Sequence, residues 1–279
     1  MHARPLFQTI ASAFDYFLFD QYGVLHNGRT PYPGAAQALA RLKQRGARIV
    51  ILSNSGRSGA YNAERMATLG IARELYDDFV TSGDVAAAML RNSEVPVPLT
   101  RATRCLVIGS SPDDGFAREL GMSDTDDGAA ADLVIITGSQ SPRIAMNAYA
   151  DRLRPAAERQ VACLCSNPDQ LMLVGDATYP GAGEIADLYE RLGGTVVRIG
   201  KPFPAIYTEA AQRLSAPRPA DILCVGDSVE HDVAGAHRFG AFAALVRTGI
   251  LADLSEQELA KECAACGHVP DFIVSGLDA

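Results

Sequence analysis

Eight short apolar runs alternate with segments of helix length along this chain. In order they read YFLFD, ARIVILS, CLVIG, LVIITG, VACLCS, TVVRIG, ILCVGD and AFAALV. Such alternation is typical of βαβ units, and parallel strands read as continuously apolar because both of their faces are covered. The pattern therefore predicts an α/β fold built on a mostly parallel sheet.

The stretch between Asn54 and Lys201 carries enough strand and helix patterns for a second α/β unit, which we expect to be inserted into the first. Its junctions are predicted at the TSGD segment (81–84) and at Gly193–Gly194. No repeat or long linker occurs, so short hinges should join the units. The predicted division is 1–83 plus 195–279 for the core domain and 84–194 for the inserted domain.

Composition and charge narrow the class of protein. A chain of 279 residues that is 48% hydrophobic has ample material for a packed core. A net charge of −8 repels phosphate backbones and argues against nucleic-acid binding. The apolar stretch in MHARPLFQTI is too short for a signal peptide, and no run is long enough to span a bilayer. We therefore expect a cytoplasmic protein that binds no membrane and whose six cysteines are free thiols.

Polar residues follow several predicted strands, at the edge where open α/β sheets place their chemistry. Asp20 ends the first strand, and Gly23 permits a sharp turn just after it. Such an aspartate can act as a nucleophile or metal ligand, or it can simply cap the turn. Ser53 and Asn54 end the next strand before a helix, where they can either attract an anion or cap the helix.

Two later segments add a cation and two carboxylates. Lys201 follows the strand TVVRI, and the proline after it stiffens the backbone. It can neutralise phosphate charge, although an exposed lysine in water is the simpler alternative. Asp227 and Asp232 lie five residues apart across a strand-to-helix turn. Together with Asp20 they make a hard-oxygen site suited to Mg²⁺.

These four elements, in this order, resemble the motifs of the haloacid dehalogenase (HAD) superfamily. The 148 residues from Ser53 to Lys201 correspond to a large α/β cap between its second and third motifs. NPDQ (167–170), GAGEIADLYERLGG and GKPFPAIY resemble the class IIA branch of NagD-like phosphatases. The resemblance covers about residues 15–250, and it implies a Rossmann-like parallel-sheet core with an inserted α/β cap of the C2, class IIA type.

The resemblance also implies a role for each matching residue. Asp20 would be the nucleophile that forms an aspartyl phosphate on a small phosphorylated metabolite. Ser53, Asn54 and Lys201 would hold the phosphate. Mg²⁺ would be held by Asp20, Asp227, Asp232 and the backbone carbonyl of Tyr22. Asn167 and Asp169, in the cap, would contact substrate, and caps of this type often pair, which admits a homodimer.

Tyr22 departs from the phosphatase pattern. Phosphatases of the superfamily carry there a second aspartate, which acts as the acid, so the catalytic role of this position falls to a tyrosine. FDQYG instead resembles the motif of the haloacid dehalogenases, which attack carbon and need no metal. The sequence thus favours a Mg²⁺-dependent phosphatase, with a dehalogenase-like hydrolase or a degenerate phosphometabolite-binding protein as alternatives.

Overall fold

The computed structural model describes residues 6–111, 115–174 and 177–278. Within these ranges the strands are β1 (Tyr16–Asp20), β2 (Arg48–Ser53), β3 (Asp78–Thr81), β4 (Arg104–Ile108), β5 (Ser123–Asp124), β6 (Leu133–Ile136), β7 (Cys163–Cys165), β8 (Leu171–Val174), β9 (Ala177–Pro180), β10 (Val196–Arg198), β11 (Ile222–Gly226), β12 (Phe242–Val246) and β13 (Phe272–Val274). All eight predicted strands are present. The sequence pattern missed β3, β5, β8, β9 and β13, which have four residues or fewer.

Helices connect most of these strands. In the same described ranges they are α1 (Phe7–Ala11), α2 (Ala35–Gln44), α3 (Gly59–Thr68), α4 (Ser82–Arg91), α5 (Phe116–Glu119), α6 (Met146–Glu158), α7 (Ala182–Arg191), α8 (Pro204–Arg213), α9 (Ala234–Phe239) and α10 (Glu256–Cys266). A π-helical turn, Val229–Val233, leads directly into α9. No helix in the described part of the chain is both long enough and apolar enough to cross a membrane.

The chain divides into two compact units. The core unit comprises Met1–Ser53, Gly59–Val80 and Lys201–Ala279, and the inserted unit comprises Asn54–Ser58 and Thr81–Gly200. Residues 1–5 and 279 of the predicted core domain lie outside the described residues. The boundaries predicted from the sequence, 1–83 plus 195–279 and 84–194, lie close to these limits. The exact ends of the two domains remain a prediction.

The core unit is built on a six-stranded sheet in the order β13-β12-β11-β1-β2-β3. β1 pairs in parallel with β2 and β11, β11 pairs in parallel with β12, and β12 with β13. The central strands are buried along almost their whole length, as their continuous apolar runs predicted. Phe7 packs edge-on against Phe19 in this core, with ring centroids 5.9 Å apart.

The inserted unit has a five-stranded sheet in the order β10-β7-β6-β4-β5 and a separate β8-β9 hairpin. The pairs within the five-stranded sheet are parallel, whereas the hairpin is antiparallel. Tyr149 and Tyr189 are fully buried in its apolar core, and the Tyr189 hydroxyl donates to the Val161 carbonyl at 2.8 Å. The predicted α/β class with a parallel-sheet, Rossmann-like core is therefore confirmed. All six cysteines are free thiols, as predicted.

Candidate active site

Asp20 occupies the carboxyl end of β1, between β2 and β11 in the middle of the core sheet. The strand is otherwise apolar and buried, so its last residue is held at the sheet edge with only 9% of its surface exposed. Such a carboxylate needs a charged partner, because a buried charge without one is costly. That partner is Lys201, whose Nζ donates to Asp20 Oδ1 at 2.5 Å.

Lys201 bridges two carboxylates. Its ammonium also donates to Asp232 Oδ1 at 2.7 Å, and only 4% of the residue is exposed. Burial lowers the pKa of Lys201, but the charges of Asp20 and Asp232 outweigh burial and raise it above the ordinary value. The ammonium therefore stays protonated near neutral pH, unlike the solvated surface lysine that was the simpler alternative.

Asp227 completes a cluster of three carboxylates with Asp20 and Asp232. Each offers an oxygen, and these three oxygens lie within 4.8 Å of one another. Burial and then repulsion from the other two carboxylates raise the pKa of Asp227 well above its usual range. Burial, opposed by the attraction of Lys201 and reinforced by repulsion from Asp232, raises the pKa of Asp20 to about 7. One lysine thus faces three acids, which leaves two negative charges uncompensated when all are ionised.

This donor set fits a divalent cation. Converging carboxylate oxygens are the ligands that Mg²⁺ prefers, and a divalent charge would cancel the excess of two. Asp20, Asp227 and Asp232 are the one such cluster found among the described residues. The structure thus brings together the three side chains proposed as metal ligands, and Lys201 with them.

Two closely packed glycines and one backbone amide surround the Asp227 carboxylate. A Cβ at Gly23 would lie 2.1 Å from Asp227 Oδ2, and a Cβ at Gly249 would lie 1.9 Å from it. Both residues have positive φ, which glycine adopts without strain. The Ile250 N–H donates to the same oxygen at 2.8 Å. Sequence reasoning missed this Gly249–Ile250 contribution, although a polar residue and glycine after β12 gave the same signal as the other strand ends.

The π-helical turn Val229–Val233 places Asp232. The Ser228 N–H donates to Asp232 Oδ2 at 3.1 Å, while the Ser228 hydroxyl accepts from the His231 N–H at 3.2 Å. The wider turn of a π-helix changes the direction of side chains relative to an α-helix, and such turns often occur at functional sites. No feature of the sequence predicted it.

Tyr22 differs from the other predicted site residues because 47% of it is exposed. Its ring lies edge-on to that of His26, with centroids 5.9 Å apart. Burial, followed by the charge of Arg65, lowers the pKa of His26 to about 4. His26 Nδ1 accepts from the Gly28 N–H at 2.9 Å, and its Nε2 lies 3.0 Å from the Gln21 side-chain nitrogen. His26 thus fixes the loop beneath Tyr22 as a neutral group.

Ser53 and Asn54 follow one another where the chain passes from the core unit to the inserted unit. Both are 7% exposed, and Ser53 ends β2 beside β1 in the core sheet. Asn54 Nδ2 donates to Asp169 Oδ1 at 2.7 Å within the inserted unit. Asn167 Oδ1 accepts from the Asp169 N–H at 3.2 Å. The predicted cap residues are therefore a connected pair, and Asp169 contacts Asn54.

Comparison with known proteins gives a consistent picture. Residues 17–123 match the family model of the haloacid dehalogenase-like hydrolases, and residues 198–279 match a HAD-hydrolase-like model. Chronophin of Homo sapiens is 28% identical over 277 residues, covering 93% of this chain and 90% of that protein. Ribonucleotide monophosphatase NagD of Escherichia coli K12 is 27% identical over 231 residues, covering 82% and 85%.

A solved structure agrees with the sequence relatives. The p-nitrophenyl phosphatase of Archaeoglobus fulgidus superimposes with a TM-score of 0.77 at 26% identity, covering 95% of this chain and 97% of that one. Both sequence and fold thus match over nearly the whole chain, including the inserted unit. The chain belongs to the haloacid dehalogenase-like hydrolases, in their branch of NagD-like phosphatases.

Proposed function

We propose that this protein is a Mg²⁺-dependent phosphatase of small phosphorylated metabolites that uses Asp20 as its nucleophile. The observation that carries the proposal is the buried arrangement in which Lys201 bridges Asp20 and Asp232 while Asp227 lies close to both. One fixed cation and three converging carboxylates suit the charge of a phosphoryl group and a divalent metal together.

In the proposed reaction an Asp20 oxygen attacks phosphorus in line with the ester bond. The P–O bond to the leaving group breaks, the leaving oxygen takes a proton, and an aspartyl phosphate remains on Asp20. Attack by water then releases inorganic phosphate and restores the carboxylate. Ser53, the backbone at Asn54 and Lys201 hold the phosphoryl oxygens, and this electrostatic stabilisation is the main contribution to phosphoryl transfer.

Asp20, Asp227 and the Tyr22 carbonyl are the proposed direct ligands of Mg²⁺, with Asp232 acting directly or through water. When bound, the ion would neutralise carboxylate charge and polarise the phosphoryl group. Tyr22 stands at the position expected for the residue that protonates the leaving group. A phenol, with an ordinary pKa of about 10, is a weak acid for that role. A homodimer and a cytoplasmic location stay predictions from the sequence.

The test is hydrolysis of p-nitrophenyl phosphate and a panel of metabolite phosphates by the purified protein, with Mg²⁺ or with a chelator. We expect turnover in Mg²⁺, loss of turnover in chelator, and no turnover by Asp20→Asn. Chelator-resistant release of halide from 2-haloacids would favour the dehalogenase-like alternative suggested by Tyr22. Phosphate binding without turnover of any ester would favour the degenerate binding protein.

A further inference from the structure

The turn that carries Asp169 is tightly fixed inside the inserted unit. The Asn167 side chain accepts from the Asp169 N–H at 3.2 Å, and the Asp169 carbonyl accepts from the Gly183 N–H at 2.9 Å. A Cβ at Gly183 would lie 2.3 Å from the Pro168 carbonyl oxygen, so α7 can approach this closely only with glycine there. The NPDQ turn is therefore packed directly against the GAGE segment at the start of α7.

The Asp169 carboxylate is directed at the Asn54 side chain. A carboxylate can only accept, so the 2.7 Å contact requires that the amide present its Nδ2 to Asp169. Its oxygen is turned towards Gly200, where a Cβ would lie 2.7 Å from Asn54 Oδ1. Asn54 is buried, and hydrogen bonds to charged groups are stronger than neutral ones. The hydrogen bond to Asp169 thus sets which end of the amide faces the turn.

We propose that Asp169 is a positioning residue that fixes Asn54 for phosphoryl binding, and that it is not itself a contact for the substrate leaving group. The inference rests on the proposed function, in which the backbone at Asn54 holds a phosphoryl oxygen. A carboxylate aimed at a phosphate dianion would repel it. A carboxylate that accepts from the Asn54 side chain instead holds that residue in place, together with the backbone proposed to hold a phosphoryl oxygen. This replaces the direct substrate contact that the resemblance implied for Asp169.

A positioning role for Asp169 should affect substrates differently from a specificity role. The phosphoryl group is common to every substrate, so a fault at Asn54 should affect all substrates equally. A residue that contacts the leaving group would instead change KM for some substrates and leave others unaffected. Comparison of leaving groups therefore separates the two roles.

The experiment compares wild type with Asp169→Ala, Asp169→Asn and the control Asp151→Ala, which removes an exposed carboxylate on α6. kcat and KM are measured for p-nitrophenyl phosphate and for an alkyl phosphate, and calorimetry measures binding of inorganic phosphate. For Asp169→Ala we expect kcat to fall about tenfold, with the same factor for both esters, and we expect inorganic phosphate to bind more weakly. Asp169→Asn should recover most of the loss because its amide oxygen can still accept.

A double-mutant cycle adds a second readout. If Asp169 acts through Asn54, the loss in Asn54→Ala/Asp169→Ala should be close to that of Asn54→Ala alone. Melting temperatures show that each variant is folded. A change in KM for only one ester, or full activity in Asp169→Ala, overturns the positioning role. Absence of both turnover and phosphate binding in the wild type overturns the proposed function, and this inference with it.

Discussion

Replacing Asp227 by asparagine should stabilise the metal-free protein while removing its response to Mg²⁺. Asparagine has the same shape, so it fits against Gly23 and Gly249, and its side-chain oxygen can still accept from the Ile250 N–H. What changes is the charge. Asp227 lies near two other acids, and the lysine beside them donates to Asp20 and Asp232.

The size of the effect follows from the geometry. Two unit charges 4.8 Å apart, which is the upper limit for these oxygens, repel by about 3.5 kcal/mol at an effective dielectric constant of about 20. Asp227 is repelled by Asp20 and Asp232 and attracted by Lys201. If the attraction cancels one of the two repulsions, the net cost is that of a single repulsion. Partial protonation lowers the cost, and we expect Asp227→Asn to raise the free energy of unfolding by about 2 kcal/mol in chelator. This corresponds to a melting temperature higher by about 4–8 °C.

Magnesium should reverse the order of the two melting temperatures, so that wild type becomes more stable than Asp227→Asn. At a concentration one hundred times its Kd, a ligand that binds only the native state adds about 2.7 kcal/mol to the stability. Wild type should therefore gain a higher melting temperature on addition of Mg²⁺, whereas Asp227→Asn should not. Thermal unfolding followed by circular dichroism, with and without chelator, measures both effects. Asp151→Asn, an exposed acid, is the matched control and should respond to Mg²⁺ like wild type.

The pH dependence in chelator provides a further check. Because the pKa of Asp20 is raised from 3.8 to about 7, its contribution to stability is complete below pH 3.8 and is lost as pH rises through about 7. The raised pKa of Asp227 acts in the same direction. Wild type should therefore lose stability between about pH 4 and 7. Asp227→Asn should lose less over the same range. A lower melting temperature for Asp227→Asn in chelator, or an intact response to Mg²⁺, would refute the reasoning.

Three further predictions concern catalysis and packing. Lys201→Met should lower kcat by at least about 100-fold, while Lys43→Met, which removes a half-buried lysine from an ion pair, should not; steady-state kinetics measures both. Tyr22→Asp should raise kcat more for alkyl than for aryl phosphates, and an unchanged ratio would show that another group supplies the proton. Gly249→Ala should weaken Mg²⁺ binding and lower the melting temperature more than Gly70→Ala, which also has positive φ but open space around it; equal effects would contradict the close packing.

The sequence predicted the fold well wherever burial was continuous. β1, β2 and β11 read as unbroken apolar runs because both of their faces are covered. The polar residues that end or follow these strands, Asp20, Ser53 and Asp227, indicated the sheet edge that carries the site. β13 was missed because its apolar run is only Phe272–Val274, whereas the equally short β7 and β10 lie within the longer runs VACLCS and TVVRIG. Short strands of this kind depend on their neighbours rather than on their own sequence.

The site was predicted by residue type, but its connections were not. Asp20 and Asp232 lie 212 positions apart, and only the fold shows that one lysine bridges them. The π-helical turn before α9 and the Ile250 N–H on Asp227 involve the backbone, which side-chain motifs do not report. The direction of the Asp169 carboxylate likewise depends on packing of a turn against α7.

The segment Asn54–Ser58 belongs to the inserted unit although it is separated from the rest of that unit by more than twenty residues of core sequence. Gly56 is packed so closely that a Cβ there would lie 2.3 Å from the Thr137 carbonyl oxygen, and the Gly83 N–H donates to the Ser55 carbonyl at 3.1 Å. The inserted unit is therefore not formed by one continuous stretch of sequence. A chimera that takes residues 81–200 from a relative must also take that relative's version of 54–58, because grafting the long piece alone would pair a foreign surface with a native loop.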